Sequence, residues 1–270
     1  MEYVEIRIHK IPLEEQDILT FLLAEAGFES FSQDGDEFQA FIPANLFERD
    51  RLVQIFQEHP FDYSKVIIPD QNWNEEWERN FSPVEIAGKC FIRAPFHPSR
   101  PGYQYEIIIE PKMSFGTAHH ETTSQMIELM MEMEFHGKCV LDMGCGTGIL
   151  AILADKMGAS KVFAIDNDIW AYSNSIENIE KNVSSRITVN LGEIDDVPAD
   201  FDIILANINR NVLLDQISHY SNMMNPGGHL LMSGFYEEDL SRIRECASLH
   251  NLYIELFITK NQWVAAKFGK

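Results

Sequence analysis

Cysteine is scarce. Four residues (Cys90, Cys139, Cys145 and Cys246) occur in 270, none in C-x-x-C spacing. That excludes a disulfide framework and a thiolate zinc site, and it fits the reducing cytoplasm as the expected compartment. No apolar run reaches the roughly 18 residues needed to cross a bilayer, and the opening MEYVEIRIHK has no apolar signal core. Positive charge is also short: 21 Lys and Arg stand against 42 Asp and Glu, a formal net charge of -21. Such a surface repels phosphate backbones and anionic lipid, so neither direct nucleic-acid binding nor membrane association is expected, while a basic partner is favoured. Internal repeats and low-complexity stretches are missing as well.

What is present is enough for a substantial core, with 45% apolar residues over a length that suits one large domain or two modest ones. Tyr3 to His9 alternates apolar and polar residues like a strand. Pro12 then opens a helical pattern through Leu23 that stops at Gly27. Strands over 28–31 and 38–42, a helix over 46–57 and a strand over 63–68 complete a βαββαβ order, the ferredoxin-like α+β arrangement. Residues 1–68 are thus expected to form a small domain. Residues 69–81 are expected to be a linker helix, polar but for Trp73 and Trp77 one turn apart.

From Val84 to Glu110 the pattern is β-rich, and a Met-rich helix is expected over 122–135. Strands then alternate with helices up to Ser233, the signature of a parallel sheet covered on both faces. A helix over 237–248 and an antiparallel strand pair joined at Lys260-Asn261-Gln262 follow. Residues 82–270 therefore read as one α/β domain.

The chemistry is concentrated in Val140-Leu141-Asp142-Met143-Gly144-Cys145-Gly146-Thr147-Gly148, a strand that runs through a glycine loop into a helix. Alternate glycines let backbone turn sharply and approach a ligand beyond the carboxyl end of the strand. The spacing is not G-x-G-x-x-G, because Ile149 stands where the third glycine would be, and no Gly-Lys-Ser/Thr follows as in a P-loop. A carboxylate at Asp166, ending the next strand, suits two ribose hydroxyls, each a donor to an ionised acid. Cys145 reads as a small loop residue. His119, His120 and Glu121 are adjacent and have no third ligand spaced on a helix, so no metal is expected.

The D-x-G-x-G-x-G loop resembles motif I of the seven-strand, Rossmann-like methyltransferases. That resemblance implies S-adenosylmethionine as cofactor, with Asp142, Gly144 and Gly146 around its methionine part. Three further segments are similar to the ribosomal protein L-eleven methyltransferases: Phe115-Gly116-Thr117-Ala118-His119-His120-Glu121-Thr122-Thr123, Asn207-Ile208-Asn209 after Asp202–Ala206, and the tryptophan-rich stretch before Phe81. The likeness is weak before residue 70 and strong from 115 to 235. It implies cofactor contacts from Phe115, Thr117, Thr123, Gly144, Asp166 and Asn207, and a small N-terminal domain that holds a basic ribosomal protein. It further implies methylation of lysine side chains and of the N-terminal amine. The Asn207 side-chain oxygen, or the backbone carbonyl after it, can accept an amine hydrogen and aim the lone pair, the alternative being that Asn207 only caps the strand end. Two positions depart from the pattern: Ala118 replaces a usual glycine, and Asn209-Arg210 replaces small apolar residues. Methylation of glutamine amides or of a small amine would suit an Asn-Pro-Pro-aromatic motif, where this chain has Asn207-Ile208-Asn209-Arg210. A non-catalytic assembly factor would not need Asp142, Gly144, Asp166 and Asn207 together. Nothing in the sequence specifies an oligomeric state.

Overall fold

The computed structural model describes residues 2–9, 11–34, 37–68, 81–112 and 114–270, with the side chains of Leu13, Glu14 and Asp34 left aside. The expected linker helix with Trp73 and Trp77 lies outside the described residues. By internal contacts the chain forms two compact units, Met1–Phe81 and Ser82–Lys270.

In the first unit the order is β1 (Tyr3–His9), α1 (Leu13–Glu25), β2 (Ser30–Asp34), β3 (Glu37–Pro43), α2 (Arg49–Glu58) and β4 (Tyr63–Ile68). The four strands lie in the order β2-β3-β1-β4, every neighbouring pair antiparallel. Alternation puts Val4, Ile6 and Ile8 of β1 in a core with Leu19 and Leu23 of α1 and Leu52 and Phe56 of α2. The helix expected over 46–57 is split. A 3₁₀ turn covers Ala44–Leu46, Phe47 is extended with its ring against this core, and α2 starts only at Arg49. Burial of the Phe47 ring outweighs helical continuity there.

The second unit begins with a three-stranded sheet of β5 (Val84–Ile86), β6 (Cys90–Arg93) and β7 (Tyr105–Ile108). Helix α3 (Glu121–Met130) ends earlier than its apolar pattern suggests. Glu132 and Met133 bond three residues back, to Leu129 and Met130, and this tighter winding closes the helix. Then come β8 (Cys139–Met143), α4 (Ile149–Lys156), β9 (Lys161–Asp166), α5 (Ile169–Lys181), β10 (Ile187–Leu191), β11 (Phe201–Asn207), α6 (Arg210–Met223), β12 (Met224–Tyr236), α7 (Leu240–Leu249), β13 (Tyr253–Lys260) and β14 (Trp263–Gly269).

They build a seven-stranded sheet in the order β10-β9-β8-β11-β12-β14-β13. Pairing is parallel from β10 to β12, and β14 runs antiparallel to both β12 and β13. Each face has its own core: Val140 and Leu141, adjacent on β8, enter different clusters. The chain leaves β8 towards β9 on one side and returns to β11 on the other. The carboxyl ends of β8 and β11 thus flank the crevice where open sheets of this type bind ligands.

Candidate functional site

Strand β8 delivers Met143 into a loop whose glycines all take positive φ: Gly144 at 67°, Gly146 at 55° and Gly148 at 78°. At Gly146 the backbone also leaves no room, since a Cβ would sit 2.3 Å from the Phe115 carbonyl oxygen. That carbonyl accepts the Thr147 N–H at 3.0 Å, and Thr147 Oγ1 donates to the Gly116 carbonyl at 2.6 Å. The Phe115–Gly116 segment and the glycine loop are therefore stitched together. A side chain at Gly144 would point at Ile208, 2.4 Å from its Cγ2, so it would strike the β11 loop.

Asp166, the last residue of β9, spans the loop and the next helix. Its Oδ2 accepts the Gly146 N–H at 2.9 Å and its Oδ1 the Asp168 N–H at 3.0 Å, while Asp168 caps α5 through Trp170. Asp142 lies one layer below, 1% exposed. Its Oδ2 accepts the Ala151 N–H of the first turn of α4 at 3.0 Å. Burial pushes this carboxyl up to about 7; the Asp166 charge adds to the shift and the Ala151 N–H opposes it.

At the end of β11, Asn207 donates from Nδ2 to Thr123 Oγ1 at 3.2 Å. Thr123 is fully buried on the first turn of α3. The Asn207 Oδ1 is buried without a hydrogen-bond partner. An acceptor left unpaired in this way is costly. Beyond it, β12 passes close to the Ile208 backbone at Gly234, φ 98°, where a Cβ would lie 2.0 Å from the Ile208 oxygen.

These ends open on a cavity of about 860 Å³. Of the residues singled out in the sequence, Phe115, Gly144, Gly146, Asp166 and Asn207 line it. Thr117, Thr123 and Asp142 are not among the lining residues. Thr117 faces the ring of His119 at 3.1 Å, Thr123 supports Asn207 from behind, and Asp142 anchors α4. His120, considered in the sequence beside His119 and Glu121, lines it too, and the lining residues that the sequence reading passed over include Gly192, Glu193 and Trp263. Gly192-Glu193 follows the end of β10 as Asp166 ends β9, so the rule of strand ends could have found it. Trp263 gave no such signal: it reaches the cavity because β14 folds back beside β12.

Both departures from the pattern have a local account. Ala118 has a positive φ of 67°, where a glycine would be free of strain. Asn209 caps α6 by accepting the Val212 N–H at 3.2 Å, and Arg210 is turned to Asp239, at 2.6 Å. His119, His120 and Glu121 contact the Ser82 carbonyl, Thr122 and Asn261, and no group of metal-binding side chains occurs among the described residues.

A family model for ribosomal protein L11 methyltransferase (PrmA) matches residues 8–270. A ribosomal protein L11 methyltransferase of Porphyromonas gingivalis is 47% identical over 261 residues, 93% of this chain and 90% of the relative. One of Phocaeicola vulgatus is 44% identical over 278 residues, 99% of each chain. The crystal structure of a ribosomal protein L11 methylase from Lactobacillus delbrueckii subsp. bulgaricus matches with a TM-score of 0.66 at 27% identity, over 70% of this chain and 98% of that one. A methyltransferase from Pyrococcus furiosus shares the fold, with a TM-score of 0.53 at 21% identity over 61% of this chain and 89% of its own.

Proposed function

The chain belongs to the ribosomal protein L11 methyltransferase family, and we propose that it transfers methyl groups from S-adenosylmethionine to lysine side-chain and N-terminal amines of ribosomal protein L11. The observation that carries the amine reading is that Asn207 lines the cavity and its Oδ1 lacks a hydrogen-bond partner.

The residues present suit the cofactor. Gly144 and Gly146 put no side chain between the loop and its methionine part, with Phe115 as cover, and Asp166 takes the ribose hydroxyls. Thr117 and Thr123 hold the segment over the loop and the Asn207 amide. Asp142 sets the loop from below through α4. When bound, the sulfonium supplies an already activated methyl group, so the protein needs no strong acid.

What remains is the state and direction of the amine. A lysine is protonated at neutral pH, with an ordinary pKa near 10.4, and the lone pair is free only on the neutral form. Desolvation in the cavity favours that form, whereas the carboxylates lining it favour the charged one, so the proton must leave to solvent before transfer. Asn207 Oδ1 accepts one amine hydrogen and turns the lone pair towards the methyl carbon.

The first unit, with its βαββαβ order, is in this reading a ferredoxin-like domain that docks the ribosomal protein, and residues 82–270 are the catalytic domain. Acidity favours that basic partner over nucleic acid, and the cytoplasm is the expected location. Among the described residues no helix is long and apolar enough to cross a membrane.

The test is to incubate the purified protein with radiolabelled cofactor and ribosomal protein L11, then locate the label by mass spectrometry. Label on lysine and N-terminal nitrogens is expected. Label on glutamine amides, or none on that protein, would overturn the assignment.

A further inference from the structure

The cavity wall near Asn207 is aromatic. Asn207 ends β11 with Ser233 beside it on β12, and Tyr236, further along β12, pairs with Trp263 at the head of β14. The Tyr236 and Trp263 rings lie 4.0 Å apart. His120 packs edge-on to Trp263 at 4.9 Å, and Phe115 edge-on to His120 at 5.2 Å. Phe115, His120 and Trp263 line the cavity together with Asn207.

The charges around the cavity have one sign. Asp166, Asp168, Glu193 and Asp215 line it, whereas no lysine or arginine does. Three of these carboxylates already accept backbone N–H groups. Asp215 has no hydrogen-bond or ion-pair partner among the described residues. Arg210, five residues earlier on α6, is held by Asp239.

We propose that Trp263, backed by Tyr236 and flanked by His120, is the specificity-determining wall of the acceptor pocket, holding a cationic alkylammonium and retaining a partly methylated amine for further transfer. This rests on the amine-acceptor reading above. In each transfer the amine lone pair attacks the methyl carbon, a C–N bond forms, and the C–S bond breaks with its electron pair left on sulfur. The nitrogen is then an alkylammonium that gives its proton to solvent before the next transfer. A methylated lysine stays mostly protonated at neutral pH, and the face of an indole attracts such a cation. Extra methyl groups add apolar surface that favours the aromatic wall over water.

The test uses the full-length protein, ribosomal protein L11 and two variants, Trp263→Leu and Trp263→Phe. Methyl groups per amine are counted by mass spectrometry early in the reaction, and cofactor affinity is measured by calorimetry. Trp263→Leu is expected to raise KM for the protein substrate and to increase the singly methylated fraction at least about threefold, with cofactor Kd within about twofold of normal. Trp263→Phe should restore most of the normal distribution. An unchanged distribution in Trp263→Leu overturns the proposal, as does a cofactor Kd that rises in step with the loss. So does a normal enzyme that stops at one methyl group. If Trp263→Leu fails to fold, Tyr236→Leu is expected to shift the distribution in the same direction, and no shift overturns the proposal. A normal enzyme that labels no amine at all instead overturns the amine-acceptor reading beneath it.

Discussion

The amide of Asn207 is held by Thr123, its Nδ2 donating to the threonine hydroxyl at 3.2 Å, while its Oδ1 has no hydrogen-bond partner. Removing the hydroxyl frees the amide to rotate. Thr123→Val should lower kcat about tenfold, the scale of one net hydrogen bond, while Thr123→Ser stays near normal. Isothermal titration alongside steady-state kinetics checks this. Weakened cofactor binding at normal kcat would make Thr123 a cofactor contact and not a support.

Asn207→Ala removes the acceptor itself. A hydrogen bond expressed mainly in the transition state is worth roughly 2–4 kcal/mol, so kcat should fall by about one and a half to three decades. Activity of the normal enzyme should rise with pH as neutral amine becomes available. Turnover near normal in the mutant at saturating cofactor would show that the amine is positioned by other groups.

Asp142 makes stability depend on pH in a predictable direction. Its carboxyl is raised from 3.8 to about 7, so the folded state keeps a proton that the unfolded chain has lost. The contribution is full below pH 3.8 and is lost as pH rises through about 7. Asp142→Asn can still accept from Ala151 without that penalty. Compared with the normal protein, it should gain up to about 1.4 kcal/mol per pH unit across this interval. Denaturant titrations of both proteins at pH 4, 5.5 and 7.5 (about one per limb of the curve) measure the difference. Parallel curves would mean that the buried carboxyl stays ionised.

Gly146→Ala and Gly144→Ala should differ. At Gly146 the new Cβ meets the fixed Phe115 carbonyl, whereas at Gly144 it meets a side-chain methyl, Cγ2 of Ile208. Both also incur the cost of positive φ. Gly146→Ala is expected to cost roughly 2–4 kcal/mol and to displace the Phe115 segment, and Gly144→Ala less. Thermal melts rank them. Equal melting temperatures would contradict the tight crossing at Gly146.

A chain beginning at Ser82 keeps both cores of the large sheet and all the cavity residues. It is expected to bind S-adenosylmethionine normally and to methylate intact ribosomal protein L11 at least about tenfold more slowly, because the docking contribution is lost. Equal rates for the two chains would assign the first unit another purpose.

Much of this was legible in the residues because the signals are local. The alternation in Tyr3–His9 and the strand–loop–helix at residues 139–156 are set by near neighbours, and the strands and helices appear where those patterns place them. Asp166 was legible because a strand end in a parallel sheet has a fixed meaning. Local patterns could not supply the break at Phe47, where burial of one ring interrupts a helix, or the early end of α3, where the winding tightens. Nor could they supply the position of Trp263, which depends on pairing between β12 and β14. The role of Thr123 behind Asn207 joins residues far apart in sequence, and no spacing rule reports it.

Gln125 ties this arrangement together in time as well as in space. Its Nε2 donates to the carbonyls of Ile258 and Trp263, at 3.2 and 3.0 Å, from the same helix that carries Thr123. Strand β14 is inserted between β12 and β13, so the sheet is completed only by residues 263–269. Protein synthesis proceeds from the N-terminal side, and the glycine loop is therefore made long before its opposite wall. While residues 263–269 are still inside the ribosome, α3 lacks its anchor and the cavity one side. A nascent chain can thus hold every residue of the glycine loop before the strand that carries Trp263 has joined the sheet.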